Sequence, residues 1–396
     1  MSGFTSLGEE FDRLFITDSE IVDRYVGNLL WDAGDNAFGQ LGDNTTVDHT
    51  VFRSMVTNSS DWYKISKGVG SVTLSAIKTD GTLWTWGYNN YGQLGDNTIT
   101  QRNSPVQTIT GGTNWKQVSG GYFHTVAIKK DGTLWSWGRN TEGQLGLGYY
   151  AAANKGNSSP IQISGGGTNW KQVSGGTKYT TAIKTDGTLW TWGHNTWGQL
   201  GQGTTANTNV PAQTISGGSD WNIISCGNHS TAAIKTDGTL WLWGKNDTGQ
   251  LGINSIANTS TPVQVTGGGT NWKQVSGGAY HTAAIKTDGT LWLWGQNNYG
   301  QLGLNIVSAL GKGNSSPVQV TGGGTNWKQV YCGVHHTAAI KTDGTLWTWG
   351  RNNFSQLGDN TLVSKSSPIQ PYNVQGLNWV DLMTGADTTY GLISNY

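Results

Sequence analysis

One motif, LWxWGxNxxGQLG, recurs along this 396-residue chain and constrains its fold more than any other feature. Close copies begin at Leu83, Leu134, Leu189, Leu240, Leu291 and Leu346, and a worn copy, LWDAGDNAFGQLG, begins at Leu30. The glycine after the second aromatic position falls at Gly34, Gly87, Gly138, Gly193, Gly244, Gly295 and Gly350, at spacings of 53, 51, 55, 51, 51 and 55 residues. A fixed period near 50 residues means that one supersecondary unit is stacked on copies of itself and buries its apolar face against its neighbours. The repeat also accounts for the tryptophans. Thirteen of the 21 lie in the LWxW runs, seven follow Asn or Asp, and Trp197 alone stands outside.

A full unit reads PVQVTGGGTNWKQVSGGAYHTAAIKTDGTLWLWGQNNYGQLG. It divides into four extended runs, PVQV, WKQVSGG, HTAAIKT and TLWLWG. An Asp-Gly pair between the last two is a strong hairpin signal. Val, Ile, Thr and Trp favour pleated, packed surfaces, and no helical period runs through the repeats. Sevenfold repetition of four antiparallel strands predicts an all-β, seven-bladed β-propeller over residues 28–396. Glycine lets backbones approach closely, which places WKQVSGG nearest the axis. Proline lacks a ladder donor, so the runs at Pro105, Pro160, Pro211, Pro262, Pro317 and Pro368 belong on the outer edge. The paired tryptophans are expected to wedge between blades. The chain enters the repeat at Leu29 to Gly34 and leaves it at Trp379 and beyond, so roughly residues 28–56 and the last 18 should combine into one shared blade that removes the open sheet edges.

Charged residues make up 12% of the chain and cancel to a net charge of zero. A nucleic-acid binder would carry a basic stripe, so none is expected as a partner. No apolar run approaches the ~18 residues of a membrane span. The start of the chain lacks a basic region followed by an apolar stretch, so no secretory signal is read there. Cys226 and Cys332 occupy one repeat position in non-neighbouring units and are expected to be buried thiols, not a staple.

The run LWxWGxNxxGQLG, followed by SPVQ, NWKQVSGG and HTAAIKTDG, resembles the regulator of chromosome condensation repeat family over about residues 28–396. That resemblance implies a seven-bladed propeller with a shared closing blade. It does not fix a function. The founding member exchanges nucleotide on a small nuclear GTPase with one propeller face and a long wedge insertion, and binds chromatin with a basic tail. Here the loops vary in length by only four residues and the leader is acidic, so neither feature is matched. Other members are adaptors, and one bacterial relative inhibits β-lactamases by covering them with one face. The resemblance implies binding through a propeller face with the partner open.

Strand order sets two faces. One carries the IKTDG turns, with Lys78, Lys184, Lys235, Lys286 and Lys341 before Thr-Asp-Gly, and reads as a set of solvated turns. The other carries the SGGxxH turns and the loops after LWxWG, and there the repeats differ. Tyr88, Tyr91, Tyr122, Phe123, Arg139, Tyr149, Tyr150, Trp197, Tyr299, Arg351 and Phe354 are the candidate interaction residues on that face, because aromatic and Arg side chains are the usual interface anchors. His124, His281 and His336 share one repeat position without companion carboxylates or cysteines, which points to structural hydrogen bonds and not to zinc. The Asp43-Asn44, Asp96-Asn97 and Asp359-Asn360 segments lack the dense oxygen spacing of calcium loops. No catalytic residue, metal site or cofactor is assigned, and no enzyme motif is present.

Residues 1–27 differ from the rest. They hold Glu9, Glu10, Asp12, Asp18, Glu20 and Asp23 against Arg13 and Arg24. Phe4, Leu7, Phe11, Leu14 and Phe15 recur at helical spacing, and Thr17-Asp18-Ser19-Glu20 resembles a capping box before a second short helix. The segment is expected to plug the propeller or to dock on another protein. It also resembles the leaders of marine bacteriophage proteins that carry this repeat. The sequence is thus read as a non-enzymatic recognition propeller that binds a protein or a surface glycan through its variable face. The leading expectation is a phage virion or tail-associated protein for host recognition, held to another virion protein by residues 1–27. A soluble regulatory adaptor or inhibitor, in the cytoplasm, is the alternative, and a small-GTPase exchange factor the third reading.

Overall fold

The computed structural model describes residues 27–55, 59–66, 68, 70–110, 112–152, 155–309 and 313–394. The expected N-terminal helices, and the docking residues Phe4, Leu7, Phe11, Leu14 and Phe15, lie outside the described residues. Among those described, every regular element is a β-strand, and no helix is long and apolar enough to cross a membrane.

The strands form repeated four-stranded antiparallel blades. In one, Trp115–Gly120, His124–Lys129, Leu134–Arg139 and Gly156–Gln162 lie side by side in chain order. Four further sheets repeat this arrangement. The remaining sheet has eight strands. Part of it runs Trp62–Ile65, Thr73–Lys78, Leu83–Gly87, Arg102–Gln107. The other part joins the two ends of the chain: Asn28–Gly34 pairs with Thr388–Ser394 at seven consecutive positions, with Trp379–Thr384 and His49–Ser54 on the flanks. A single pair, Asn28 with Trp62, connects the two parts.

Sequence explains the strand order. The run that opens with the Asn- or Asp-linked tryptophan, WKQVSG in three copies, is the inner strand of each blade, and these strands line a central cavity of about 290 Å³ with Gln172, Ser174, Ser225, Cys226, Ser276 and Cys332 on its wall. The proline-bearing strand is outermost, where it pairs on one side only. An edge position tolerates proline's missing N–H: the register slips between Thr85 and Gly87, opposite the stretch that contains Pro105, and it slips alike between Asp32 and Gly34, opposite the proline-free strand His49–Ser54. The turn between the second and third strands is closed by the Asp-Gly pair. In Lys129–Gly132, for example, the Gly132 amide donates to the Lys129 carbonyl at 3.0 Å.

The apolar cores lie between blades. Ile77 and Leu83 from one blade pack with Trp115, Val118 and Trp137 of the next, and Val126, Ile128 and Leu134 pack with Trp170, Val173 and Trp192. The paired tryptophans are not equivalent in this packing. The second is fully buried, as at Trp243, and its Nε1 donates to the Gln199 carbonyl of the preceding repeat at 2.9 Å. The first is half-buried and donates within its own turn, Trp241 Nε1 to Thr239 Oγ1 at 2.9 Å. Only one of each pair is the wedge expected from the sequence. Gly201 shows how tight the wedge is: its φ is +63°, and a Cβ there would lie 2.7 Å from Trp243 Nε1.

The blade shared by the two ends breaks this rule and restores it differently. In LWDAG the second indole is replaced by Ala33. Phe52, from the strand beside it, fills the space. Its ring is 2% exposed, stands 5.2 Å from Trp379 edge to face, and occupies the place that an indole takes against the GQLG glycine elsewhere, here Gly358. Asp32 lies in the same strand as Ala33 and enters a buried chain with His49 and Asp43, each 3.0 Å from the imidazole.

Candidate interaction face

The loop after each LWxWG strand is built around one buried asparagine. Asn195 is typical. Its Oδ1 accepts from the Leu200 amide at 3.0 Å, and its Nδ2 donates to the Thr204 and Ala206 carbonyls at 3.0 and 2.9 Å. The glutamine of GQLG holds the opposite side: Gln199 Oε1 accepts from the Trp197 amide at 3.0 Å. These bonds fix a loop backbone in which the residue after WG and the residue three further on are free to vary. The Asp of GDNT also belongs to this frame. Asp96 accepts from Asn89, from the Thr98 amide and hydroxyl, and from Arg102. Among the described residues no group of three or more His, Cys, Asp or Glu is placed to hold a metal.

The variable positions meet across blade boundaries. Tyr88, Tyr91, Tyr122 and Phe123 form one cluster, with Phe38 at its rim. Ring centroids are 5.0 Å apart for Tyr91 and Phe123, 5.9 Å for Tyr88 and Phe123, 4.4 Å for Tyr122 and Phe123, and 5.0 Å for Phe38 and Tyr88. The Arg139 guanidinium lies 5.1 Å from the Tyr91 ring and 5.6 Å from that of Phe123. A second cluster joins Tyr280, Tyr299, His335, Arg351 and Phe354. His335 stacks on Tyr280 at 5.1 Å, and Arg351 lies over Tyr299 and Phe354 at 5.5 and 5.0 Å. Asp387 stands 3.8 Å from the Arg351 guanidinium. Trp197 lies apart from both clusters, with the Lys245 ammonium 5.0 Å above its ring. Tyr149 and Tyr150 are separate again; Tyr149 Oη accepts from Asn157 Nδ2 at 2.9 Å.

Of the candidate residues, only Tyr149, Tyr150 and Phe354 are exposed, at 45, 49 and 37%. The others are half-buried, the clustered ones against one another and Trp197 beneath Lys245. Partial burial restricts their rotamers and leaves part of each side chain accessible, which is the preorganisation a contact anchor needs.

The histidines divide by position. His124, His281 and His336 are buried behind this face, and each Nε2 meets a threonine of the next blade: Thr180 at 3.0 Å, Thr337 at 2.9 Å and Thr389 at 3.2 Å. Burial pushes all three down to about 3, so the rings are neutral. A glycine makes room for two of the rings; a Cβ on Gly121 or on Gly333 would lie 2.2 Å from Cε1 of His124 or of His336. His335 is lowered to about 4 by burial and then by Arg351. His49 is the exception. Burial works against its charged form, but the hydrogen bond and charge of Asp32, with Asp43 opposite, leave its pKa raised. Burial, only partly offset by His49, pushes Asp32 up to about 6.

The opposite face is not the solvated lysine ring expected from IKTDG. Each of these lysines lies between two tryptophans. Lys184 Nζ is 4.9 Å from the Trp170 ring and 4.1 Å from that of Trp190, and Lys341 is placed alike at 4.9 and 4.2 Å from Trp327 and Trp347. The Asp of the turn serves its own threonine instead: Asp186 accepts from the Thr188 amide and hydroxyl.

The repeat pattern alone does not announce one feature of the variable face. The first hairpin of the blade at Trp62 is two residues longer than its counterparts, WYKISKGVGSVTLSAIK against WKQVSGGYFHTVAIK. Gly68 of this hairpin lies beyond the neighbouring blade, where it bridges to Gly175, and it joins the wall of the central cavity. The length difference was the available signal.

Six segments, residues 80–128, 131–183, 186–234, 237–285, 288–340 and 343–392, match the family model described as the regulator of chromosome condensation (RCC1) repeat. The chain is 31% identical over 363 residues to the Ultraviolet-B receptor UVR8 of Arabidopsis thaliana, covering 88% of this chain and 79% of that protein. It is 30% identical over 356 residues to Protein pim1 of Schizosaccharomyces pombe, covering 80% of this chain and 65% of that protein. Among solved structures, Prp20p from Saccharomyces cerevisiae superposes with a TM-score of 0.81 at 18% identity, over 94% of this chain and 93% of that one. That likeness is one of fold. The Prp20p structure was described together with binding to Gsp1p and histones.

Proposed function

The chain belongs to the regulator of chromosome condensation (RCC1) repeat family, and on that premise we propose that it is a non-enzymatic regulatory or scaffold propeller that binds a protein through its variable face. We count seven blades, taking the eight-stranded sheet as two units joined at Asn28 and Trp62. The observation that carries the reading is the pair of cross-blade clusters, Tyr88–Tyr91–Phe123–Arg139 and Tyr299–His335–Arg351–Phe354. They stand where an otherwise near-verbatim repeat diverges. The inter-blade wedges are supplied elsewhere, by the second tryptophans, so these rings are available for contact. A protein partner fits better than a glycan, because guanidinium groups held over aromatic rings suit carboxylate and peptide recognition. The binding of Gsp1p and histones by Prp20p, a protein of the same fold, supports a protein partner. The virion-associated reading rested on residues 1–27, and the relatives lend it no support; the regulatory reading is preferred.

Alanine at Tyr91, Phe123 and Arg139, or at Tyr299, Arg351 and Phe354, should abolish binding of a purified partner and leave the melting curve intact. The control set on the opposite face is Lys171, Lys273 and Lys328, which are exposed, and not the lysines clamped between tryptophans. Loss of binding in the control set with retention in both aromatic sets would overturn the choice of face. A nucleotide-release assay on a small GTPase separates plain scaffolding from exchange; release accelerated by the wild type would replace the scaffold reading with the exchange reading.

A further inference from the structure

The lysine-bearing face repeats almost without change, so its few departures are informative. Four inner strands open Trp-Lys-Gln, at Trp115, Trp170, Trp272 and Trp327, but the strand at Trp62 opens with Tyr63 and Lys64. The turn after each second strand reads Lys-Thr-Asp-Gly except one, Lys129-Lys130-Asp131-Gly132. The fold brings these departures together. Tyr63, Lys64 and Lys130 line one cavity of about 240 Å³ with Lys78, Trp115 and Lys116, at the junction of two neighbouring blades. At the corresponding junctions the two changed positions are Gln117 with Thr185, Gln172 with Thr236, Ile223 with Thr287 and Gln274 with Thr342. Lys78 is paired with Asp61 at 3.2 Å. Even so, Lys64, Lys78, Lys116 and Lys130 all line this one small concavity, and such a density of positive charge favours an anion.

The chain enters the fold beside this cavity. Asn28 pairs with Trp62, and its Nδ2 donates to the Trp62 carbonyl at 3.2 Å. Gly27 lies against Ser60 and Asp61 so closely that a Cβ would meet the Ser60 carbonyl oxygen at 2.1 Å. The described chain therefore begins, at Gly27, next to the strand that holds Tyr63 and Lys64, and residues 1–26 carry six carboxylates against two guanidinium groups. Asp23 and Glu20 precede Gly27 by four and seven residues, a reach of up to about 13 and 23 Å. We propose that the lysine cavity is the docking site of this acidic segment of the same chain, which sets it on the face opposite the variable loops.

The test uses the full chain and trypsin cleavage after Arg24, read by mass. Lys64→Gln with Lys130→Thr restores the residues that the repeat itself uses, so the fold should be kept. Cleavage should be about fivefold faster in that variant, the effect of losing roughly 1 kcal/mol of exposed ion pairing, at an unchanged melting temperature. High salt should accelerate the wild type in the same way. Glu20→Gln with Asp23→Asn, which leaves the propeller untouched, should match the lysine variant, whereas Lys273→Gln with Lys328→Gln should match the wild type. Equal rates in the wild type and in both the lysine and the carboxylate variants would overturn the proposal. So would protection that rises with protein concentration, because the occupant would then be the segment of a neighbouring copy.

Discussion

At the residue scale, tryptophans that look alike in the sequence play different parts. Trp243 is wholly buried between blades and hydrogen-bonded to the preceding repeat. Trp241 is half-buried, and its ring carries the Lys235 ammonium at 5.1 Å. Trp243→Ala should therefore cost ~3–5 kcal/mol, and Trp241→Ala about a third of that, since it loses packing that water already reaches and a cation–π contact of ~0.5–1 kcal/mol. Chemical denaturation of the two variants checks this, and equal losses would show that both indoles are wedges. Phe52→Ala should fall with Trp243→Ala, at ~3–5 kcal/mol, because Phe52 stands in for the indole that Ala33 lacks. Restoring the repeat by Ala33→Trp should destabilise the wild type, whose space is already filled by Phe52. In the Phe52→Ala background the same change should recover stability.

At the scale of elements, the unit of interest is the WGxNxxGQLG loop. The sequence marks it by its invariance, and the structure gives the reason: its asparagine is a buried hub for three main-chain groups. Asn195→Ala would strand the Leu200 amide and the Thr204 and Ala206 carbonyls, at a cost of about 2–4 kcal/mol if no water replaces them. It should also release the loop that presents Trp197 and weaken recognition without touching the surface; hydrogen exchange confined to residues 196–208 would report it. Strand order, the proline edges and the glycine-rich inner strands were legible because each depends on local geometry that one residue type imposes. Other features were not, because they depend on neighbours distant in sequence. Nothing in VFRS announces that Phe52 replaces an indole. Nothing in LWDAG and GDNT announces that Asp32 and Asp43 hold His49 between them. The lysines of IKTDG read as solvated because the indoles that flank each of them come from other strands. On the candidate face the residue types were legible, but their assembly into two clusters with Trp197 outside both was not, since centroid distances depend on how blades are rotated about the axis.

At the scale of the whole molecule, stability should depend on pH through the histidines. His124, His281 and His336 are held at about 3, and His229 and His335 at about 4, below the ordinary value near 6.5. The unfolded chain binds these protons first, so their contribution is complete above pH 6.5 and is lost as pH falls from there toward 3. Each fully buried ring should account for about 2 kcal/mol of loss by pH 5. Replacing His281 and His336 with Gln should flatten the fall in denaturation midpoint between pH 6.5 and 5; an unchanged slope would place the pH dependence elsewhere. Closure is the second property at this scale. Strands 28–34 and 388–394 pair along their length, so truncation at residue 378 should expose two blade edges and lower the melting temperature with loss of cooperativity. The closed blades present the aromatic loops together on one face, and a bound protein partner should cover them. Hydrogen exchange of the chain with and without that partner reads this. Protection should concentrate in residues 88–93, 121–123, 296–301 and 351–356, and leave the turns at 78–81, 184–187 and 286–289 unchanged. Protection confined to those turns, with the aromatic loops unaffected, would contradict it.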